Sequence, residues 1–331
     1  MRARNRFFRH GLVLVAVAAV LGIASGAARA ESSFTVVALP DTQWYSDLYP
    51  DIFTAQTTWI KNNATTQNIV FVTHEGDIVN SYNNTTMWSN AVTAMNVLDT
   101  PSIPYATCPG NHDSNSGGNY TYYSANFGAS RYETKAGFLA TTPTKNNCLA
   151  MTFTAGSRQF LSLSLDSFKG ADSIAFAQNQ ISLHPGMPTI VTLHSYYNTD
   201  GTFTTEGQQF WDSVFKQDAY KQVFMVLCGH MHGQFHDTDN NLAGKPVYEM
   251  LADYQSDDYG GNGYMRLIQF DPDNSKISVK SYSPVTGLYK TDAANQFDYT
   301  GVDFSRLPEP ATLSMLALGV LAILRRARKA P

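Results

Sequence analysis

Three cysteines in 331 residues, Cys108, Cys148 and Cys228, are too few and too odd in number to staple a fold. Buried thiols are the default for such a set. Cys108 and Cys228 each close an apolar run, which leaves a bridge between those two open in an oxidising compartment. Positive charge is scarce too: 23 Lys and Arg against 27 Asp and Glu give a formal net charge of -4. That balance carries no basic surplus of the kind that marks a nucleic-acid-binding surface. An anionic substrate would need a local source of positive charge, such as a metal. Pro/Ser linkers, blocks of one charge and internal repeats are missing between the two ends, so one large domain accounts for the central chain.

Long apolar runs sit at the two ends. The first ten residues, MRARNRFFRH, are basic, GLVLVAVAAVLGIASG is apolar, and ARA precedes Glu31. This order of charge, hydrophobic stretch and small-residue cleavage site predicts an export signal over 1–30, with the mature chain starting near Glu31. At the other end LPEP is followed by ATLSMLALGVLAIL and RRARK. That stretch is short against the roughly 20 residues needed to cross a hydrocarbon core, and the basic residues after it favour a cytoplasmic end. The tail closely resembles the Pro-Glu-Pro carboxy-terminal sorting signals (PEP-CTERM) of bacterial envelope and exported proteins, through Pro308, Glu309, Pro310 and the arginine cluster. The resemblance implies a sorting signal over 307–331 with a short transmembrane helix and transient membrane contact. It also implies removal by an exosortase-like membrane sorting enzyme and an extracellular or envelope-associated product. A plain anchor leads to nearly the same compartment.

Short apolar runs bounded by turn residues predict strands in the central chain. FTVVALP runs into Asp41, IVFVTHEG into Asp77, and IPYATCPG into Asn111 and His112. TIVTL runs into His194, and VFMVLCG into His230 and His232. Helical segments fall between them: PDIFTAQTTWIKNN, TTMWSNAVTAMNVL and TTEGQQFWDSVFKQDAYK. Strands alternating with helices indicate a largely parallel sheet covered by helices, and in such sheets ligands bind outside the strands' carboxyl ends. Each ending has a plainer reading, since Asp41 could shape a turn, Asp77 cap a helix and Asn111 occupy a left-handed turn. Five together are poorly explained by turn chemistry. Carboxylate, amide oxygen and imidazole suit Mn, Zn or Fe better than thiolate-bound zinc, and so many donors exceed what one tetrahedral ion needs.

The order Asp-x-Gln, Gly-Asp, Gly-Asn-His-Asp, His, Gly-His-x-His resembles the calcineurin-like metallophosphoesterases, from about Phe34 to about His236. The resemblance implies a four-layer α/β/β/α sandwich of two mixed sheets over 31–306, with a two-metal centre at the strand ends. Asp41 and His232 would hold the first ion, Asp77 would bridge both, and Asn111, His194 and His230 would hold the second. His112 would contact the phosphate or give a proton to the leaving group, unless it is a further ligand, and Asp113 would orient its imidazole. The family's first motif is usually Asp-x-His; here Gln43 offers only an amide oxygen, which predicts a loosely held first ion biased toward Mn or Mg. His74 reads as a packed or supporting residue, and His184 and His236 as loop or surface residues.

Two cations about 3.5 to 4 Å apart can hold a bridging hydroxide and clamp a phosphate's oxygens. The expected activity is therefore metal-dependent hydrolysis of phosphomonoesters or phosphodiesters, using two divalent ions (Mn, Fe, Zn or Mg). The rival reading is an envelope or matrix binding protein that keeps the fold and has lost catalysis. Trp44, Tyr45, Tyr196, Tyr197, Tyr254 and Tyr259 crowd the motifs, as rim packing or as stacking surfaces for a base or sugar. The segment SNSGGNYTYYSANFGASRYETKAG reads as a lid or pocket wall, with Arg131 and Lys135 as weak anion-steering charges. GGNG at 260–263 reads as a structural loop near the rim, and KISVKSYS as part of an edge hairpin.

Overall fold

FTVVAL folds as β1 (Phe34–Leu39), buried along its whole length, as a continuous apolar run requires when both faces of a sheet are covered. The computed structural model describes residues 33–304 apart from 101–102, 117 and 144. The expected export signal and sorting tail lie outside the described residues. The other four ligand-bearing runs form β2 (Ile69–His74), β3 (Tyr105–Thr107), β7 (Thr189–Leu193) and β8 (Val223–Cys228). Between them come β4 (Phe138–Thr141), β5 (Leu149–Ala155) and β6 (Arg158–Leu165). After them come β9 (Gly233–Asn240), β10 (Pro246–Asp253), β11 (Met265–Asp271), β12 (Lys276–Tyr282), β13 (Tyr289–Lys290) and β14 (Gln296–Thr300).

These strands make two seven-stranded sheets. One has the order β13-β12-β11-β1-β2-β3, with β14 also on β12, and the other β4-β5-β6-β7-β8-β10-β9. Parallel pairing joins β1 to β2 and β2 to β3 in the first sheet. In the second it joins β6, β7, β8 and β10. Antiparallel strands flank both parallel blocks, so both sheets are mixed.

Aromatic side chains fill the space between the sheets. Phe34 stacks on Phe270 at 4.6 Å within the first sheet, and Phe71 reaches across to Phe153 at 4.5 Å. Phe160 of β6 packs on Phe153 at 5.0 Å and on Phe34 at 5.5 Å. Helices Pro50–Asn63 and Thr85–Asn96 cover the outer face of the first sheet, contributing Phe53, Ile60, Trp88 and Met95 to this core. Gly170–Leu183 and Thr205–Phe210 cover the second, packing Ala177, Ile181 and Phe210 into a separate apolar cluster. The result is the expected α/β/β/α sandwich.

Three expectations are corrected, and the default reading of the cysteines holds. β12 is not an edge strand, because β11 pairs with one side of it and β13 and β14 with the other. The segment after Asp113 is no lid: Tyr123, Phe127 and Tyr132 of its helices Thr121–Phe127 and Ala129–Tyr132 are buried, with both tyrosine hydroxyls 3.0 Å from Thr107 Oγ1. Arg131 and Lys135 do not steer an anion, since both pair with Asp99 and lie over the Tyr105 ring. Cys108 and Cys228 are free buried thiols, and Cys108 Sγ donates instead to the His74 carbonyl at 3.4 Å.

Candidate metal centre

Two of the strand ends that carry candidate ligands are followed by backbone that few residues tolerate. Asp77 and His230 both sit at positive φ, 48° and 73°, a conformation that costs free energy and persists where surrounding contacts over-determine it. The glycines of the motifs clear space for ligand side chains. A Cβ at Gly110 would stand 2.1 Å from Asp77 Oδ1, and one at Gly229 would stand 2.2 Å from Asp41 Oδ1.

His194, wholly buried at the end of β7, organises one half of the site. Its Nδ1 donates to the Glu75 carbonyl at 2.9 Å, which leaves Nε2 facing Asp77 Oδ2 at 3.1 Å and Asn111 Oδ1 at 3.2 Å. An imidazole fixed through one nitrogen presents the other as an oriented ligand. His230 packs its ring 4.9 Å from that of His194, and Phe168 lies against both. One ligand atom from each of Asp77, His194 and His230 lies within 4.8 Å of the others. Electrostatics here call for a positive charge. Burial opposes ionisation of Asp77, yet the neighbouring His194 and then His112 pull its pKa below the ordinary value. Burial likewise opposes charging His194, but Asp77 outweighs it and raises its pKa. Burial, followed by the charge of His194, lowers His230 to about 4, so His230 stays neutral with a lone pair to give.

The other half is richer in oxygen. Asp41 accepts from the His230 backbone N–H, with both carboxylate oxygens at 3.3 Å. Gln43 Nε2 donates to Gln255 Oε1, and the Gln255 amide in turn reaches Asp253 Oδ2 at 2.9 Å and Asp41 Oδ2 at 3.4 Å. His232 is half exposed, with Nδ1 3.0 Å from Ser256 Oγ and Nε2 4.0 Å from Asp253 Oδ2. Burial, then the charges of Asp253 and Asp77, push Asp41 well above the usual carboxylate range. Gln43 Oε1 is buried without a partner. An orphaned acceptor among carboxylates that repel one another fits a divalent cation, because a cation satisfies the first and neutralises the second.

Asp113 departs from expectation. Asp113 does not touch the His112 ring. Its carboxylate accepts from the backbone N–H groups of Gly110 (2.8 Å), Ile78 (3.1 Å) and Val79 (3.0 Å), tying the loop after β2 to the loop after β3. The His112 ring is oriented by the Asn80 carbonyl, to which Nδ1 donates at 2.8 Å. Asp77 Oδ1 also accepts from the His112 backbone N–H at 2.9 Å. His74 is a supporting residue: Nδ1 accepts from Gly76 N–H at 3.1 Å and Nε2 donates to Thr42 Oγ1 at 2.9 Å. Burial lowers its pKa to about 3. Most of the crowded aromatics face inward. Tyr45 accepts from Gly263 N–H, Tyr196 and Tyr197 donate to Glu249, and Tyr254 bonds Ser281, whereas Tyr259 is exposed.

Sequence reasoning missed Asp253 and Gln255, although YEMLAD is a sixth apolar run ending in a carboxylate. It also missed Asn80, whose contribution is a backbone carbonyl and leaves no residue-type signature.

A family model described as calcineurin-like phosphoesterase matches residues 34–234, and one described as the PEP-CTERM protein-sorting motif matches 307–329. The chain belongs to the calcineurin-like phosphoesterase family, and its PEP-CTERM motif is one of export and envelope sorting. It is 34% identical over 279 residues to the uncharacterized protein YvnB of Bacillus subtilis (strain 168), covering 81% of this chain and 21% of that protein. The chain thus spans about a fifth of the length of the curated relative it matches. Among solved structures it resembles a purple acid phosphatase from yellow lupin (Lupinus luteus) seeds, with TM-score 0.55 and 14% identity over 84% of this chain and 55% of that one. A dimetal phosphatase from Danio rerio is similar at TM-score 0.50 and 11% identity, covering 81% of this chain and 98% of that one. Those likenesses concern the fold. Among the described residues no helix is long and apolar enough to cross a membrane.

Proposed function

We propose that the mature unit, residues 31–306, hydrolyses phosphomonoester or phosphodiester bonds with two divalent ions, Mn, Fe, Zn or Mg, held at the carboxyl ends of β1, β2, β3, β7 and β8. The observation that carries this reading is the approach of Asp77, His194 and His230, three residues far apart in the chain whose ligand atoms lie within 4.8 Å of one another. Asn111, His194 and His230 would hold one ion, Asp41, Gln43 and His232 the other, and Asp77 both. Bound there, the ions supply Lewis acidity, activate water and balance phosphate charge. The chain's own residues do the rest. The Glu75 carbonyl fixes the His194 tautomer, and the Asp41 carboxylate ties the His230 loop to the end of β1. His112, held through its Nδ1–H, leaves Nε2 facing away from that bond, and in the imidazolium form this nitrogen would pass its proton to the leaving oxygen, which lowers the barrier to departure. We also assign 1–30 as a cleaved export signal and 307–331 as the segment an exosortase-like membrane enzyme removes.

The test is turnover of chromogenic phosphomonoesters and phosphodiesters with Mn2+ supplied. The wild-type protein is expected to hydrolyse at least one class. Asp77→Asn is expected to lose on the order of 10²-fold or more, as removal of a principal electrostatic group does. His112→Asn is expected to lower kcat while Mn2+ content stays at the wild-type level. Hydrolysis of neither class with any of the four ions would favour a binding protein that keeps the fold.

A further inference from the structure

Asp253 lies beyond the segment that matches the family, which ends at residue 234. It is the last residue of β10, which runs parallel beside β8, so it reaches the same rim as His230 and His232. Its side chain is buried, the residue being 1% exposed. Oδ1 accepts from the Gln255 backbone N–H at 2.9 Å, and Oδ2 accepts from Gln255 Nε2 at 2.9 Å. Oδ2 also lies 4.0 Å from His232 Nε2. That separation is too long for a hydrogen bond. It falls within the roughly 4.2 Å that two donor atoms can span across one cation when each bond is near 2.1 Å.

A second, independent observation points into the same place. The Gln255 amide that binds Asp253 also reaches Asp41 Oδ2 at 3.4 Å and accepts from Gln43 Nε2. Gln43 is 4% exposed, yet its Oε1 has no hydrogen-bond partner. Leaving such an acceptor unpaired costs about 1–3 kcal/mol, a cost that a cation at this point removes.

We infer that Asp253 is a metal ligand that completes the first ion's site, joining Asp41, Gln43 and His232. Its carboxylate supplies the strong donor that is lost where Gln43 stands in place of the imidazole implied by the resemblance. With the shared Asp77, three carboxylates, one amide oxygen and one imidazole make a site harder than an imidazole-rich one, so it selects Mn or Mg over Zn. The inference rests on the two-ion reading above.

The experiment is Mn2+ binding to metal-stripped full chain, followed by calorimetry and by electron paramagnetic resonance of the free ion. Wild type is expected to bind two equivalents. Asp253→Asn keeps the shape and an amide oxygen for Gln255, and is expected to bind one equivalent as wild type does and the other at least tenfold more weakly. His194→Ala is expected to retain the equivalent that depends on Asp253. Gln43→His in the Asp253→Asn background should recover binding, with Zn2+ now preferred. An Asp253→Asn protein that takes up both equivalents at wild-type affinity overturns the inference and leaves the two-ion reading standing. A wild type that binds fewer than two equivalents overturns that reading itself. Circular dichroism of the metal-free variant checks folding. Should Asp253→Asn fail to fold, Asp253→Ala takes its place, and unchanged Mn2+ affinity there overturns the inference equally.

Discussion

A single methyl group separates Gly229 from a residue that would push Asp41 aside, since a Cβ there would stand 2.2 Å from Asp41 Oδ1. Gly229→Ala is therefore expected to weaken Mn2+ binding at least tenfold while moving the melting temperature little; wild-type affinity in calorimetry would contradict this. Asp113 makes the opposite kind of prediction. Its two carboxylate oxygens satisfy three buried N–H groups, and an amide has only one acceptor oxygen. Asp113→Asn should cost about 1–3 kcal/mol in urea unfolding, the magnitude for stranding a buried donor. A displaced pH–rate profile without loss of stability would return the imidazole-orienting role to Asp113. The candidate ligands Asp41, Asp77, Asn111, His194, His230 and His232 were legible because carboxylate, amide and imidazole at successive strand ends form an ordered pattern. The tether on His112 was not, because it runs through the Asn80 carbonyl, a group that every residue possesses.

At the scale of elements, β10 places a titratable group on the helix-covered face of the second sheet, against Tyr196 and Tyr197. Glu249 accepts from the hydroxyls of Tyr196 and Tyr197. Burial nevertheless raises its pKa from 4.5 to about 8, the tyrosine bonds offsetting only part of the shift. The folded protein thus holds this proton more tightly than the unfolded chain does. The stability it contributes is full below about pH 4.5 and is lost as pH rises toward 8, because stability falls with pH wherever the native state binds more protons. Glu249→Gln should flatten the melting temperature over that window, and an unchanged slope would contradict the assignment. The parallel strands β1, β2, β7 and β8 could be read from sequence because burial on both faces leaves uninterrupted apolar runs. The interior position of β12 could not. Its partners β13 and β14 are short and polar, and alternation in KISVKSY reports a half-solvated face without saying which strands lie beside it.

Taken as a whole molecule, the chain uses more of its length for the fold than the matched family segment. β11 pairs with β1 in the first sheet and β10 with β8 in the second, both from beyond residue 234. That part of the fold was read from sequence only as strands and turns, since the pairing of β11 with β1 across about 230 residues leaves no local trace. The same closure joins the site to global stability. Ions that bind only the folded chain add RT ln(1 + [L]/Kd), about 2.7 kcal/mol at a hundredfold excess over Kd. Mn2+ at that concentration should raise the unfolding free energy by this amount per occupied site, hence by about twice it in wild type and by less in His194→Ala. Equal gains in both would argue that Mn2+ binds elsewhere.

Crystals soaked in MnCl2 and measured at the manganese absorption edge address the central claim most directly. An anomalous peak enclosed by Asp77, Asn111, His194 and His230 is the expected result. Full Mn2+ uptake with the anomalous signal elsewhere, and those four side chains unliganded, would contradict it.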